Sequence, residues 1–388
     1  MKKIIHAQTI KGVMADVNMA EPIVFVDNEK RNRSGHMSHA MTEFAPGKIV
    51  AFNSNCTPHR CMGHSAYGWL EYSISEDYGL TWGPRTVWQE SRDVLDDGCI
   101  TYSAEKALTL PNGDVVVFLL VNTQIAEVSC EPWWYPPRII VSHDGCKTWT
   151  EPRPITKFAG RIYDVMLHDG TVYVLESCNV AEEGFFWIHD EKDAFRLFKS
   201  TDNCQTFEEV CIVPFESQMY LCYGAMTVSP SGELICYAYN IEDECNMAYA
   251  VSPDFGTTWT AAGKSYVKKR IRNPQIGRLD GQYMLFGRAG QDNPDTVHSM
   301  VIYTSKDGIN WDDGILLGDN ERRSCFYSNT LTVTMPNGKQ RMYLKYSENV
   351  HLWSETSQMP TVADPCGPED FFPRCQVNGM LTYFETAK

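Results

Sequence analysis

The chain has 388 residues, 43% of them hydrophobic, and carries 49 acidic against 34 basic side chains for a formal charge of −15. That apolar content suffices for a sizeable core. The acidic balance, with no stretch that gathers Lys and Arg, speaks against a nucleic-acid partner. The opening MKKIIHAQTI holds too short an apolar run for a secretory leader, and no segment approaches the ~20 apolar residues that span a bilayer. A cytoplasmic protein without a membrane partner is therefore expected, its 14 scattered cysteines as free thiols rather than a disulfide frame.

In chain order, the first predicted hairpin is HAMTEFAPGKIVAF from His39, two apolar runs about a glycine turn. CTPHRCMGH follows, where Cys56, His59, Cys61 and His64 could clip a structural zinc ion. The spacing fits no established zinc module, however, and Cys56 and Cys61 read equally well as free thiols, so no cofactor is expected. SEDYGLTW (Ser75 to Trp82) and a polar loop at 90 to 98 come next. Then come the hairpin YSAEKALTLPNGDVVVFLL from Tyr102 and SHDGCKTW from Ser142. The third hairpin, YDVMLHDGTVYVLES from Tyr163, precedes a polar loop at 181 to 193 and STDNCQTF from Ser200. The fourth, YGAMTVSPSGELICYAY from Tyr223, precedes SPDFGTTW from Ser252. The fifth, NPQIGRLDGQYMLFGR from Asn273, precedes SKDGINW from Ser305. The sixth, YSNTLTVTMPNGKQRMYLKY from Tyr327, has no such partner and is followed near the C-terminus by GMLTYFE.

The serines of the five short segments are spaced 67, 58, 52 and 53 residues apart, room for four strands each. Within each segment an aspartate (Asp77, Asp144, Asp202, Asp254, Asp307) accepts backbone N–H groups of a tight turn. The terminal Trp or Phe packs between neighbouring sheets. Six inner hairpins imply an all-β, six-bladed β-propeller of four-stranded antiparallel blades, a single domain over 1–388. Its sixth blade is completed by GMLTYFE and KIIHAQTI, which removes free sheet edges.

In such a ring the residues opening the inner strands converge on the axis. These are His39, Tyr102, Tyr163 with Asp164, Tyr223, Arg272 with Asn273, and Tyr327. Aromatic rings with hydroxyls suit a sugar, whose C–H faces stack and whose hydroxyls pair.

The five turns resemble the Asp box of the sialidase superfamily, and FYSNTLTV resembles its strand with the nucleophilic tyrosine. The resemblance implies a glycan-active propeller with Tyr327 as nucleophile; such a tyrosine needs a nearby carboxylate base, and Glu348 of KYSENV, on the next strand, is the nearest candidate in the sequence. The chain departs from that pattern where the family holds its arginine triad. His39 opens the first inner strand, Tyr223 and Gly224 stand where a glutamate is expected, and His298 stands near the third arginine. SGHMSHAMTEF, with His36 and His39, is similar to the opening strand of divergent bacterial members with uronate-active relatives. That likeness implies proton transfer by His39 or Tyr327 and neutralisation of a uronate by Arg272 or Arg288.

The leading expectation is an exo-acting glycoside hydrolase on a short oligosaccharide, with Asp164 and Asp97 as candidate acid and base groups. A uronate lyase working by β-elimination and a non-catalytic glycan-binding propeller are the alternatives.

Overall fold

The alternating apolar runs, broken by glycine and Asx turns, pair as antiparallel strands in the computed structural model. It describes residues 5–35, 37–56, 68–98, 100–123, 133–180, 188, 190–289, 299–318, 327–349 and 377–387. Blade 1 is Met41–Ala45, Lys48–Cys56, Gly68–Ser75 and Thr86–Val87. Blade 2 is Ile100–Thr109, Val115–Thr123, Arg138–Ser142 and Arg153–Pro154, with Trp133–Trp134 added to its second strand. Blade 3 is Ala159–His168, Thr171–Asn179, Ala194–Ser200 and Glu208–Ile212. Blade 4 is Leu221–Val228, Leu234–Asn240, Asn246–Ser252 and Ala261–Tyr266, and blade 5 is Arg272–Leu279, Gln282–Arg288, Met300–Ser305 and Ile315–Leu317. Each first strand touches the first strand of the next blade, and Ser328–Thr334 of blade 6 returns to Met41–Ala45, so the ring closes.

Closure joins the two ends of the chain. Blade 6 runs Ser328–Thr334, Gln340–Asn349 and Val377–Thr386, and its fourth strand is Val17–Met19. The expected N-terminal contribution is thus corrected in detail. Gln8–Ile10, from the predicted KIIHAQTI segment, lies one strand further out, and Ile23–Val26 pairs with the other end of Val377–Thr386.

The five repeated turns share one bonding pattern. The Ser142 hydroxyl donates to Asp144 and accepts from the Cys146 amide at 2.9 Å, while Asp144 also takes the amide and hydroxyl of Thr148. These donors hold the Asp144 carboxyl well below the usual carboxylate range. In the third repeat Cys204 stands where a glycine is usual and adopts φ 61°, its amide held by Ser200. The aromatic that ends each turn reaches the preceding blade. Trp149 packs edge-on against Phe52 and Tyr72, Phe207 against Phe118, and the Trp311 indole N–H donates to Ser265.

One expectation fails outright. The segment read as a polar loop at 90 to 98 is the helix Gln89–Gly98. The buried Ser91 hydroxyl donates to the Trp88 carbonyl and accepts the Leu70 amide, and Val94 packs on the core between blades 1 and 2. Tertiary docking rather than helical propensity fixes it. Among the described residues no helix is long and apolar enough to cross a membrane. Cys56, Cys146, Cys178, Cys204, Cys211, Cys222, Cys236 and Cys245 are free thiols.

Candidate functional site

Four inner strands carry a β-bulge at corresponding positions. The residue left without a cross-strand partner is Glu105 in blade 2, Tyr163 in blade 3, Tyr223 in blade 4 and, with Pro274, Asn273 in blade 5. A bulge turns the unpaired side chain out of the pleat, and here each one is turned toward the ring axis. Tyr223 and Asn273 take φ of 42° and 54°, a region non-glycine residues seldom occupy. The four bulge residues line one open hollow, with His39, Arg161 and Tyr327 on the same wall.

Arg161 organises the wall. It is 3% exposed, its Nε and Nη2 meet Glu105 Oε2 at 2.9 and 2.7 Å, and its Nη1 donates to the Tyr223 hydroxyl at 2.8 Å. The guanidinium also sits over the rings of Tyr223, Tyr163 and Tyr327, at 4.7, 5.3 and 5.8 Å from their centroids. Burial opposes its charge, but Glu105 and the surrounding tyrosines outweigh that and keep it firmly cationic. Burial also pushes the Tyr163 and Tyr223 hydroxyls far up, against the pull of Arg161, so both stay protonated. Tyr223 then donates its one proton to the Tyr327 oxygen at 2.9 Å.

A second buried cation braces the ring. Lys106 Nζ lies 3.1 Å from Asp164 Oδ1 and 3.2 Å from Asn329 Oδ1 and also donates to Gln275, tying blades 2, 3, 5 and 6 together. Asp164 further accepts the Met226 and Val165 amides at 2.7 and 3.0 Å.

Of the residues singled out in the sequence, His39, Tyr163, Tyr223, Asn273 and Tyr327 meet on the wall. Asp164 belongs to the lysine brace rather than to the wall. Tyr102 is buried against Trp88, ring centroids 5.4 Å apart, and accepts from Arg138. Arg272 is paired with Glu244, and Arg288 stands opposite it on the neighbouring strand, so the arginine of the hollow is Arg161 instead. Glu348 lies on the second strand of blade 6 opposite Asn378, off the wall. The backbone of Asp97 ends the helix Gln89–Gly98, but its side chain lies outside the described residues, as do His36, His298, His59, Cys61 and His64. Of the proposed zinc ligands only Cys56 is described, buried at the end of its strand.

Glu105, Lys106 and Arg161 are the site residues that sequence reasoning missed. Aligning the inner strands on the bulge rather than on the strand start would have found Glu105 as the counterpart of Tyr163 and Tyr223. Gly224, just past the fourth bulge, has no room for a side chain: a Cβ there would sit 2.7 Å from Leu175 and 2.9 Å from the Tyr237 carbonyl.

No protein-family model matches the sequence, and no curated protein matches it. Solved structures do. A protein of unknown function from Dyadobacter fermentans aligns with TM-score 0.64 over 96% of this chain and 99% of its own, at 15% identity. The Hadza microbial sialidase Hz136 aligns at 0.61 over 84% of this chain and 66% of its own, also at 15% identity. The intramolecular trans-sialidase from Ruminococcus gnavus, solved with oseltamivir carboxylate, aligns at 0.55 over 87% and 94%, at 11% identity. At these identities the likeness is one of fold, and by its fold the chain is a sialidase-like six-bladed β-propeller.

Proposed function

We propose that the axial hollow binds a sugar and that the protein is a glycoside hydrolase with Tyr327 as its reacting group. The observation that carries this reading is the hydrogen-bond chain Glu105–Arg161–Tyr223–Tyr327 along the wall. A tyrosine attacks an anomeric carbon well only when the charge on its oxygen is supported. Tyr223 donates directly to that oxygen, and Arg161 polarises Tyr223 from behind. In this reading the Tyr327 oxygen bonds to the anomeric carbon as the glycosidic C–O bond breaks. His39, on the same wall, moves the proton between Tyr327 and the leaving oxygen, and water then releases the sugar. Sialidases and trans-sialidases among the fold's relatives support a carbohydrate ligand.

The β-elimination alternative has less support, since its uronate needs a cation and Arg161 is already held by Glu105. Incubation with sialylated, uronate-bearing and neutral oligosaccharides tests the proposal. Release of a terminal sugar by the native protein but not by Tyr327→Phe is the expected result. Products with the ultraviolet absorbance of a conjugated double bond would establish the lyase instead. Unchanged turnover in Tyr327→Phe would refute the assigned role.

A further inference from the structure

Both Arg161 nitrogens that face Glu105 converge on one carboxylate oxygen, Oε2. The other, Oε1, is buried and has no hydrogen-bond partner among the described residues, although the side chain is only 9% exposed and lines the hollow. A buried carboxylate oxygen left unpaired is costly, and a ligand donor removes that cost. The charges around it are already balanced. Arg161 lies 2.7 Å from Glu105, and Lys106 lies 3.1 Å from Asp164.

We infer that Glu105 accepts hydrogen bonds from hydroxyls of an uncharged sugar, and that the hollow discriminates against sugars bearing a carboxylate. This rests on the sugar-binding reading and narrows it to a substrate class. A hydroxyl supplies the donor that Oε1 lacks. A sugar carboxylate offers only acceptors, would meet Glu105 as a like charge, and would find both wall cations already engaged. Glu105 is thus a specificity-determining residue that satisfies its own arginine with one oxygen and reads the ligand with the other.

Isothermal titration with galactose, arabinose and fucose against galacturonate, glucuronate and N-acetylneuraminate tests the inference. The neutral sugars should bind about tenfold or more tightly than the acidic ones. In Glu105→Gln the neutral sugars should weaken by a similar factor while the acidic sugars gain, because Arg161 loses its carboxylate. A melting curve establishes that the variant is folded; if it is not, the native comparison alone decides. Acidic sugars binding as well as or better than neutral ones would overturn the inference and leave the sugar-binding reading standing. Binding of neither class would remove that reading and this one together.

Discussion

The phenol of Tyr223 donates to the phenol of Tyr327 over 2.9 Å, joining the inner strand of blade 4 to the residue that leads into the inner strand of blade 6. The bond couples a tyrosine that cannot ionise to one that must carry charge if it is to react. Tyr327→Phe removes the reacting oxygen, so glycoside turnover should fall by about a thousandfold or more. Tyr223→Phe keeps the ring and deletes only the donor, so kcat should fall by roughly tenfold to a hundredfold with KM little changed. Equal losses in the two variants would mean that Tyr223 does more than support its neighbour.

Much of this arrangement was legible beforehand. The repeated aspartate turns recur because each closes one hairpin, and that periodicity survives loops of different length, so the ring could be counted from it. His39, Tyr163, Tyr223, Asn273 and Tyr327 are legible because each opens the apolar run of an inner hairpin in the sequence. Tyr102 was not a true counterpart, since the blade 2 strand runs three residues further before its bulge and delivers Glu105 to the wall. Arg161 escaped notice because it lies two residues before its own bulge and is tied to its partner across a blade boundary. Bulges depend on how neighbouring inner strands crowd the axis, and local pattern carries little of that.

Asn273 gives a direct test of the bulge geometry. Its φ of 54° strains any residue with a Cβ, and asparagine tolerates it better than most. Asn273→Gly accepts the conformation freely, whereas Asn273→Ala loses the amide and keeps the strain. Thermal or urea unfolding should place the alanine variant about 1 kcal/mol below the glycine variant. An alanine variant at least as stable as the glycine one would show that the backbone there relaxes.

Glu176, on the second strand of blade 3, is fully buried opposite Ile162 and Arg196, and its carboxyl oxygens meet no hydrogen-bond donor among the described residues; the Cys178 thiol donates to its backbone carbonyl instead. Burial pushes its carboxyl well above the usual range, more strongly than Arg196 can oppose. A carboxyl raised in the folded state binds its proton more tightly there than in the unfolded chain. Stability from this group is therefore full at acid pH and declines as pH rises above the ordinary carboxylate range. Glu176→Met should flatten that decline and stabilise the protein by about 1–2 kcal/mol at neutral pH, as removal of an unsatisfied buried polar group does. A variant that melts lower than the native protein at every pH would contradict this account.

Lys345 should impose the opposite slope. It is fully buried in blade 6, its Nζ donates to the Ser38 carbonyl at 3.1 Å and to the Phe52 carbonyl, and it lies 5.4 Å from the centroid of the Phe25 ring. Two carbonyls and a ring solvate an ammonium poorly, and burial lowers its pKa from the usual 10.5 to about 7. Between those values the unfolded chain holds a proton that the folded lysine has released, so stability rises with pH across the window, by up to about 1.4 kcal/mol per pH unit. Below pH 7 both states are protonated and this contribution is level. Lys345→Met cannot ionise and should lose the rise entirely, which urea midpoints taken from about pH 6 to about pH 10 would record. Ser38, one of the two carbonyl partners of Lys345, precedes His39 on the wall of the hollow. If the native protein and Lys345→Met show the same pH profile, the lysine holds its charge in the fold and the seam between blades 6 and 1 is wetter than its packing implies.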